Sequence, residues 1–129
     1  RISALQLEQL RAHNRWIYEA ICAPQPNASL FIEHNRQLHA IILDAAGSAR
    51  LASVLAQLVE QPVVWRTAQH YDLENLQRSH HEHSELLAAF ARADGAWAEA
   101  IMTAHIHRAF HAYHDAYQAQ LGEPKQSAA

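Results

Sequence analysis

The chain has 129 residues, half of them apolar, with three glycines, one cysteine and a formal charge of −3 at neutral pH. That length suits one domain around one core, and a lone Cys22 excludes an internal disulfide and fits a reducing cytoplasm. The weak negative charge gives no electrostatic reason to grip nucleic acid, and no apolar run approaches the ~20 residues that cross a membrane.

In chain order, Ser3 is a plausible N-cap for a first helix that runs to Cys22, with Leu7, Leu10, Asn14, Ile17 and Ile21 near one face. Pro24 and Pro26 end it, and Asn27 caps a second helix over residues 28–46. On that helix Leu30, Phe31, Asn35, Leu38, His39, Ile42 and Ala45 share a broad face, and Gly47 can take the left-handed conformation that closes it. Ser48 opens a third helix striped by Leu51, Leu55 and Leu58, with a kink expected near Gln61 because of Pro62. A further piece, 63–71, carries Trp65 and Arg66, and 72–77 reads as a connection with room for a turn of helix. Ser79 to Glu82 spells S-x-x-E, the pattern of a capping box, which places the next helix at 79–93. Asp94 caps the last and longest helix, from Gly95 to about Leu121, and residues 122–129 read as a flexible tail. The expectation is an all-α antiparallel bundle of about six helices over residues 1–121.

Eleven histidines are the abnormal feature of the composition. Asn35 and His39 lie one turn apart on a face that also holds Leu38 and Ile42, so the pair points at the core. Either His39 is a core histidine bonded to a neighbour or it is a ligand. In RSHHEHSELLAAF, residues 78–90, Leu86, Leu87 and Phe90 define the buried side. His83 precedes them by three, four and seven residues and faces inward; His81 falls on the outer side, and His80 lies near the expected cap. On the last helix Trp97, Ile101 and Ala104 mark the inner side, with His105 four residues after Ile101 and Arg108 at the edge. His107, His111 and His114 form an i, i+4, i+7 row that reads as a solvated stripe. The candidates for an internal site are therefore Asn35, His39, His83 and His105. Three imidazoles, an oxygen ligand and an open position suit zinc or a neighbouring divalent metal.

These blocks, NRQLHAIILDAAGSARL at 35–51, SHHEHSELLAAFARAD at 79–94 and AEAIMTAHIHRAF at 98–110, resemble the FadR-type (FCD) C-terminal effector-binding domain of GntR-family bacterial transcription regulators. The family pattern of D or N, three residues and H, then S-x-x-E-H and M-x-x-H-I, reads here as Asn35–His39, Ser79–Glu82–His83 and Met102–His105–Ile106. The resemblance implies a helical bundle that binds a small carboxylic acid beside an internal metal, with His39, His83 and His105 as ligands. Asn35 then stands where aspartate is commoner, a neutral and weaker donor. It also implies a homodimer, a cytoplasmic location, and DNA contact only through an N-terminal winged-helix domain, so that the chain reads as the effector domain of a longer regulator. Ligand binding would alter how two bundles pack. Arg66 is the candidate for a second contact to the acid, because a guanidinium suits a carboxylate. Two other readings stay open: a metal-dependent hydrolase with three histidines and an activated water, and a metal-free helical interaction domain. The hydrolase lacks an evident general base, since Glu82 is taken up by its expected cap and no Glu-x-x-His pair repeats.

Overall fold

The computed structural model describes residues 1–50, 53–54 and 72–122. Among these residues there are four long helices and no strand: α1 Ala4–Cys22, α2 Ala28–Ala45, α3 Leu73–Ala91 and α4 Gly95–Gly122. The expected helical pieces at 51–71, the kink at Pro62, Arg66 and the tail beyond Gly122 lie outside the described residues.

Each helix start is written locally. Ser3 and Gln6 form a full capping box on α1: the Gln6 N–H donates to Ser3 Oγ at 3.2 Å and the Ser3 N–H donates to Gln6 Oε1 at 2.9 Å. Asn27 Oδ1 accepts from the Leu30 N–H at 3.0 Å, and Asp94 Oδ1 accepts from the Trp97 N–H at 2.9 Å. Gly47 follows α2 with φ +73°, the left-handed conformation expected of it. The turn after α3 closes the same way without a glycine. The Asp94 N–H donates to the Ala89 carbonyl and the Ala93 N–H to that of Phe90, both at 3.0 Å, with Ala93 itself at φ +54°.

One boundary differs from the sequence reading. Helix α3 begins six residues before Ser79, at an Asp72 cap whose Oδ1 accepts from the Asn75 N–H at 2.8 Å. The S-x-x-E pattern is not a cap here, because Leu76 and Ser79 already lie on the buried side of the helix and extend the row that continues through His83 and Leu86. A carboxylate at the N-cap, with Glu74 in the first turn, starts the helix where its apolar face starts.

Helix α1 packs antiparallel against α2. The Gln6 side chain donates to Asp44 at 3.1 Å, tying the start of α1 to the end of α2. Helix α1 also lies along α3, and α3 pairs with α4 through the short turn at 92–94. The main core joins Leu10, Ile17, Ile21, Phe31, Leu38 and Leu76 from three helices; a second cluster joins Leu86 and Ala89 of α3 to Ala98 and Ile101 of α4. Ala98 and Ile101 turn the face of α4 that carries them toward α3. Trp97 (37% exposed) and Ala104 therefore do not face inward as the sequence reading expects; Ala98, Ile101 and Met102 do. Leu30 is likewise exposed, although Phe31 and Leu38 on the same helix are buried.

Candidate metal centre

Three helices each deliver one imidazole to a common point: His39 from the middle of α2, His83 from α3 and His105 from α4. Their ring centroids stand 5.3 Å (His39–His83), 5.2 Å (His39–His105) and 4.9 Å (His83–His105) apart. One nitrogen from each ring lies within 4.8 Å of the others, close enough to share a metal ion.

His83 is the most constrained of the three. It is fully buried, and neither of its ring nitrogens has a hydrogen-bond partner. Orphaned polar atoms in a core cost about 1–3 kcal/mol each, which packing alone does not return. Removal from water holds all three rings neutral. Burial and the neighbouring His105 push His39 down to about 3, burial brings His105 to about 4, and burial with His39, His105 and His80 pushes His83 well below the ordinary value. Three neutral imidazoles with inward lone pairs are in the protonation state that a divalent metal requires. The residues present thus fit a metal, on the strength of an orphaned buried ring and the chemistry of its neighbours.

Beside the cluster, His105 Nδ1 lies 2.8 Å from Glu82 Oε2, and the other oxygen of that carboxylate meets the Arg108 guanidinium. An ionised carboxylate only accepts, so this contact is a hydrogen bond donated by His105 Nδ1–H to Glu82. Glu82 therefore serves α4 and not a helix cap, which corrects the sequence reading. Its side chain is 12% exposed and that of His105 11%. The neighbouring histidines have other partners. His80 Nδ1–H donates to Asn14 Oδ1 at 3.1 Å, Asn14 Nδ2 donates to Ser84 Oγ at 2.9 Å, and Ser84 Oγ donates to the His80 carbonyl at 3.0 Å. His81 is exposed, as are His107, His111 and His114. Between α1 and α2, His13 and His34 meet with their Nδ1 atoms 3.2 Å apart against the Trp16 ring, a pair the sequence reading did not single out.

Asn35 sits one turn before His39 on α2, half-buried. A groove of about 770 Å³ opens between the start of α1, the end of α2 and the α3–α4 turn, lined by Leu7, Ile42, Phe90 and Ala98 among others. Among the described residues no histidine lines it, and its one carboxylate, Asp94, caps α4.

No curated protein and no solved structure matches this chain. The family model of the FCD domain matches residues 1–108, which takes in Asn35, His39, His83 and His105. FCD domains are ligand-sensing domains of GntR-family transcription regulators and often bind divalent metals. Matched over most of its length, with its three inward imidazoles inside the matched region, the chain belongs to the FCD domain family.

Proposed function

We propose that this domain senses a small carboxylic acid held next to a divalent metal, with zinc as the first choice, inside the bundle. His39, His83 and His105 are the nitrogen ligands, and Asn35 offers a neutral oxygen from the turn before His39. Bound there, the metal supplies a positive centre with open positions for a carboxylate. Arg66 makes a second contact to the acid. The effector biases the packing of two such domains in a cytoplasmic homodimer, and the signal passes to DNA through an N-terminal DNA-binding domain.

The observation that carries this reading is His83: a ring with no exposure and two unpartnered nitrogens, facing two other neutral imidazoles. A core histidine kept for packing would bond at least one nitrogen, as His80 does with Asn14. Hydrolysis is not favoured. Glu82, the carboxylate nearest the cluster among the described residues, is held by His105 and Arg108 and is not placed as a free base.

Elemental analysis of the purified chain, free of any histidine tag, tests the reading against its His83→Ala variant. About one equivalent of a divalent metal in the parent and none in the variant is the expected result, to be followed by a thermal-shift screen of small carboxylic acids. A parent that takes up no metal even after zinc is added overturns the metal-centred part, and a zinc-loaded parent that no carboxylic acid stabilises overturns the sensing part.

A further inference from the structure

A metal ligand works only if the correct ring nitrogen carries the lone pair and the ring is held in the correct plane. Free neutral imidazole does not guarantee this, since either nitrogen can carry the hydrogen. In this domain the three histidines are not treated alike. His83 has no partner on either nitrogen. His105 is gripped on one side only: its Nδ1 lies 2.8 Å from Glu82 Oε2, while Glu82 Oε1 is taken by Arg108, three residues further along the helix that carries His105. Asn75 and Ser79 of α3 and Ala109 of α4 close over the same carboxylate and leave a space of only about 10 Å³.

We infer that Glu82 is the positioning residue of the centre, fixing His105 as the Nδ1–H tautomer so that Nε2 presents its lone pair to His39 and His83. The inference rests on the metal-site reading above and goes beyond it, since it assigns a role to a residue that need not touch the ion. A carboxylate can accept the Nδ1–H but cannot donate, so the hydrogen on His105 has one place to be. The charge of the carboxylate also makes the ring a better donor, an effect common to histidine ligands backed by an acid. Arg108 holds the second oxygen and keeps the carboxylate plane from turning away. Because Glu82 neighbours His83 in the chain, one turn of α3 supplies both a ligand and the support for a ligand on the opposite helix.

Two measurements on the 129-residue chain test this, each on the parent, Glu82→Gln and Glu82→Ala. The first is the tautomer of His105 in metal-free protein, read from long-range ¹⁵N–¹H correlation spectra. The parent is expected as Nδ1–H. Glu82→Ala is expected to move to a mixture or to Nε2–H. Glu82→Gln, whose amide oxygen can still accept, keeps Nδ1–H. The second is zinc affinity by competition with a chromophoric chelator, with circular dichroism to verify the fold. Glu82→Ala should weaken zinc by about 10- to 100-fold, and Glu82→Gln by less. A parent with His105 as Nε2–H overturns the inference, as does folded Glu82→Ala with parental zinc affinity. If Glu82→Ala does not fold, the parent decides: Nε2–H overturns the inference, and Nδ1–H with zinc weakened in Glu82→Gln supports it. A parent that binds no zinc removes the functional reading alone, since the tautomer is read without metal.

Discussion

Between α1 and α2, His13 and His34 place their Nδ1 atoms 3.2 Å apart, share a hydrogen and lean on a Trp16 ring that is itself 40% exposed. Between α2, α3 and α4, the rings of His39, His83 and His105 lie 4.9–5.3 Å apart by centroid, against 5.4 Å for that pair, but there the central ring is fully buried and bonded to nothing. Both groups are imidazoles brought together by neighbouring helices, and only one asks for a further atom. The half-buried pair satisfies itself. The buried trio does not, because both nitrogens of His83 are unbonded and the Nδ1–H of His105 is spent on Glu82. Proximity of histidines is therefore a weak sign of a metal site, and burial without hydrogen bonds is a strong one.

The largest expected effect comes from adding metal to one variant of each group. At a zinc concentration a hundred times its Kd, the folded state gains about 2.7 kcal/mol. Differential scanning calorimetry should show this gain in the parent and in His34→Ala, and no gain in His105→Ala. An undiminished gain in His105→Ala would break the comparison, because the buried trio would then be no more a site than the half-buried pair.

Acid should separate the groups next. In metal-free protein His39 and His105 titrate near 3 and 4, and His83 lies well below its ordinary value, against about 6.5 in the unfolded chain. Between those limits the unfolded state binds the more protons, so stability rises with pH through this window and is fully present above about 6.5. Going down in pH it is lost until the folded-state values are passed, at about 1.4 kcal/mol per pH unit for each imidazole that is charged only when unfolded. Urea unfolding at pH 7.5 and pH 5.5 should show the parent losing stability. His83→Phe should lose less across the same interval, having one imidazole fewer to protonate. Equal losses would mean that these rings do not dominate the acid response.

The buried trio was largely legible in the sequence, since a 3.6-residue period and a few apolar neighbours suffice to orient a side chain on its own helix. His83 could be placed from Leu86, and His39 from Leu38 and Ile42. Its support was not legible. Whether Glu82 faces water, a cap or α4 depends on where α4 lies, and α4 packs on α3 through Ala98 and Ile101 and not through the larger Trp97. The S-x-x-E pattern offered a local explanation for Glu82 that the earlier start of α3 at Asp72 removes. The His13–His34 pair escaped for the same reason: its members lie 21 residues apart on different helices, and only the antiparallel return of α2 joins them.

His80 supplies an intermediate case. It is half-buried, and burial lowers its pKa with His81 adding to the effect, but Asn14 and Ser84 complete a closed ring of hydrogen bonds around it. Asn14 is a buried polar residue in the otherwise apolar row Leu10, Ile17 and Ile21. Asn14→Ala leaves His80 Nδ1 and Ser84 without these partners and should cost about 1–3 kcal/mol in chemical denaturation. Zinc uptake should be unchanged, because His80 is not one of the three rings. A loss of zinc uptake would make the polar ring part of the site.

The smallest effect belongs to the His13–His34 pair. Its hydrogen bond is half-buried, and burial together with the nearby His34 lowers the His13 pKa while Glu33 opposes them. His34→Ala removes the acceptor or donor of one half-buried bond and one face of the contact with Trp16. Stability should fall by about 0.5 kcal/mol, as for other substitutions outside a core. The zinc-dependent gain should survive in full. A fall several times larger would show that the two histidines hold α1 to α2 as a core contact does, and the line between a self-satisfied pair and a site that needs a metal would have to be drawn by hydrogen bonding alone, without burial.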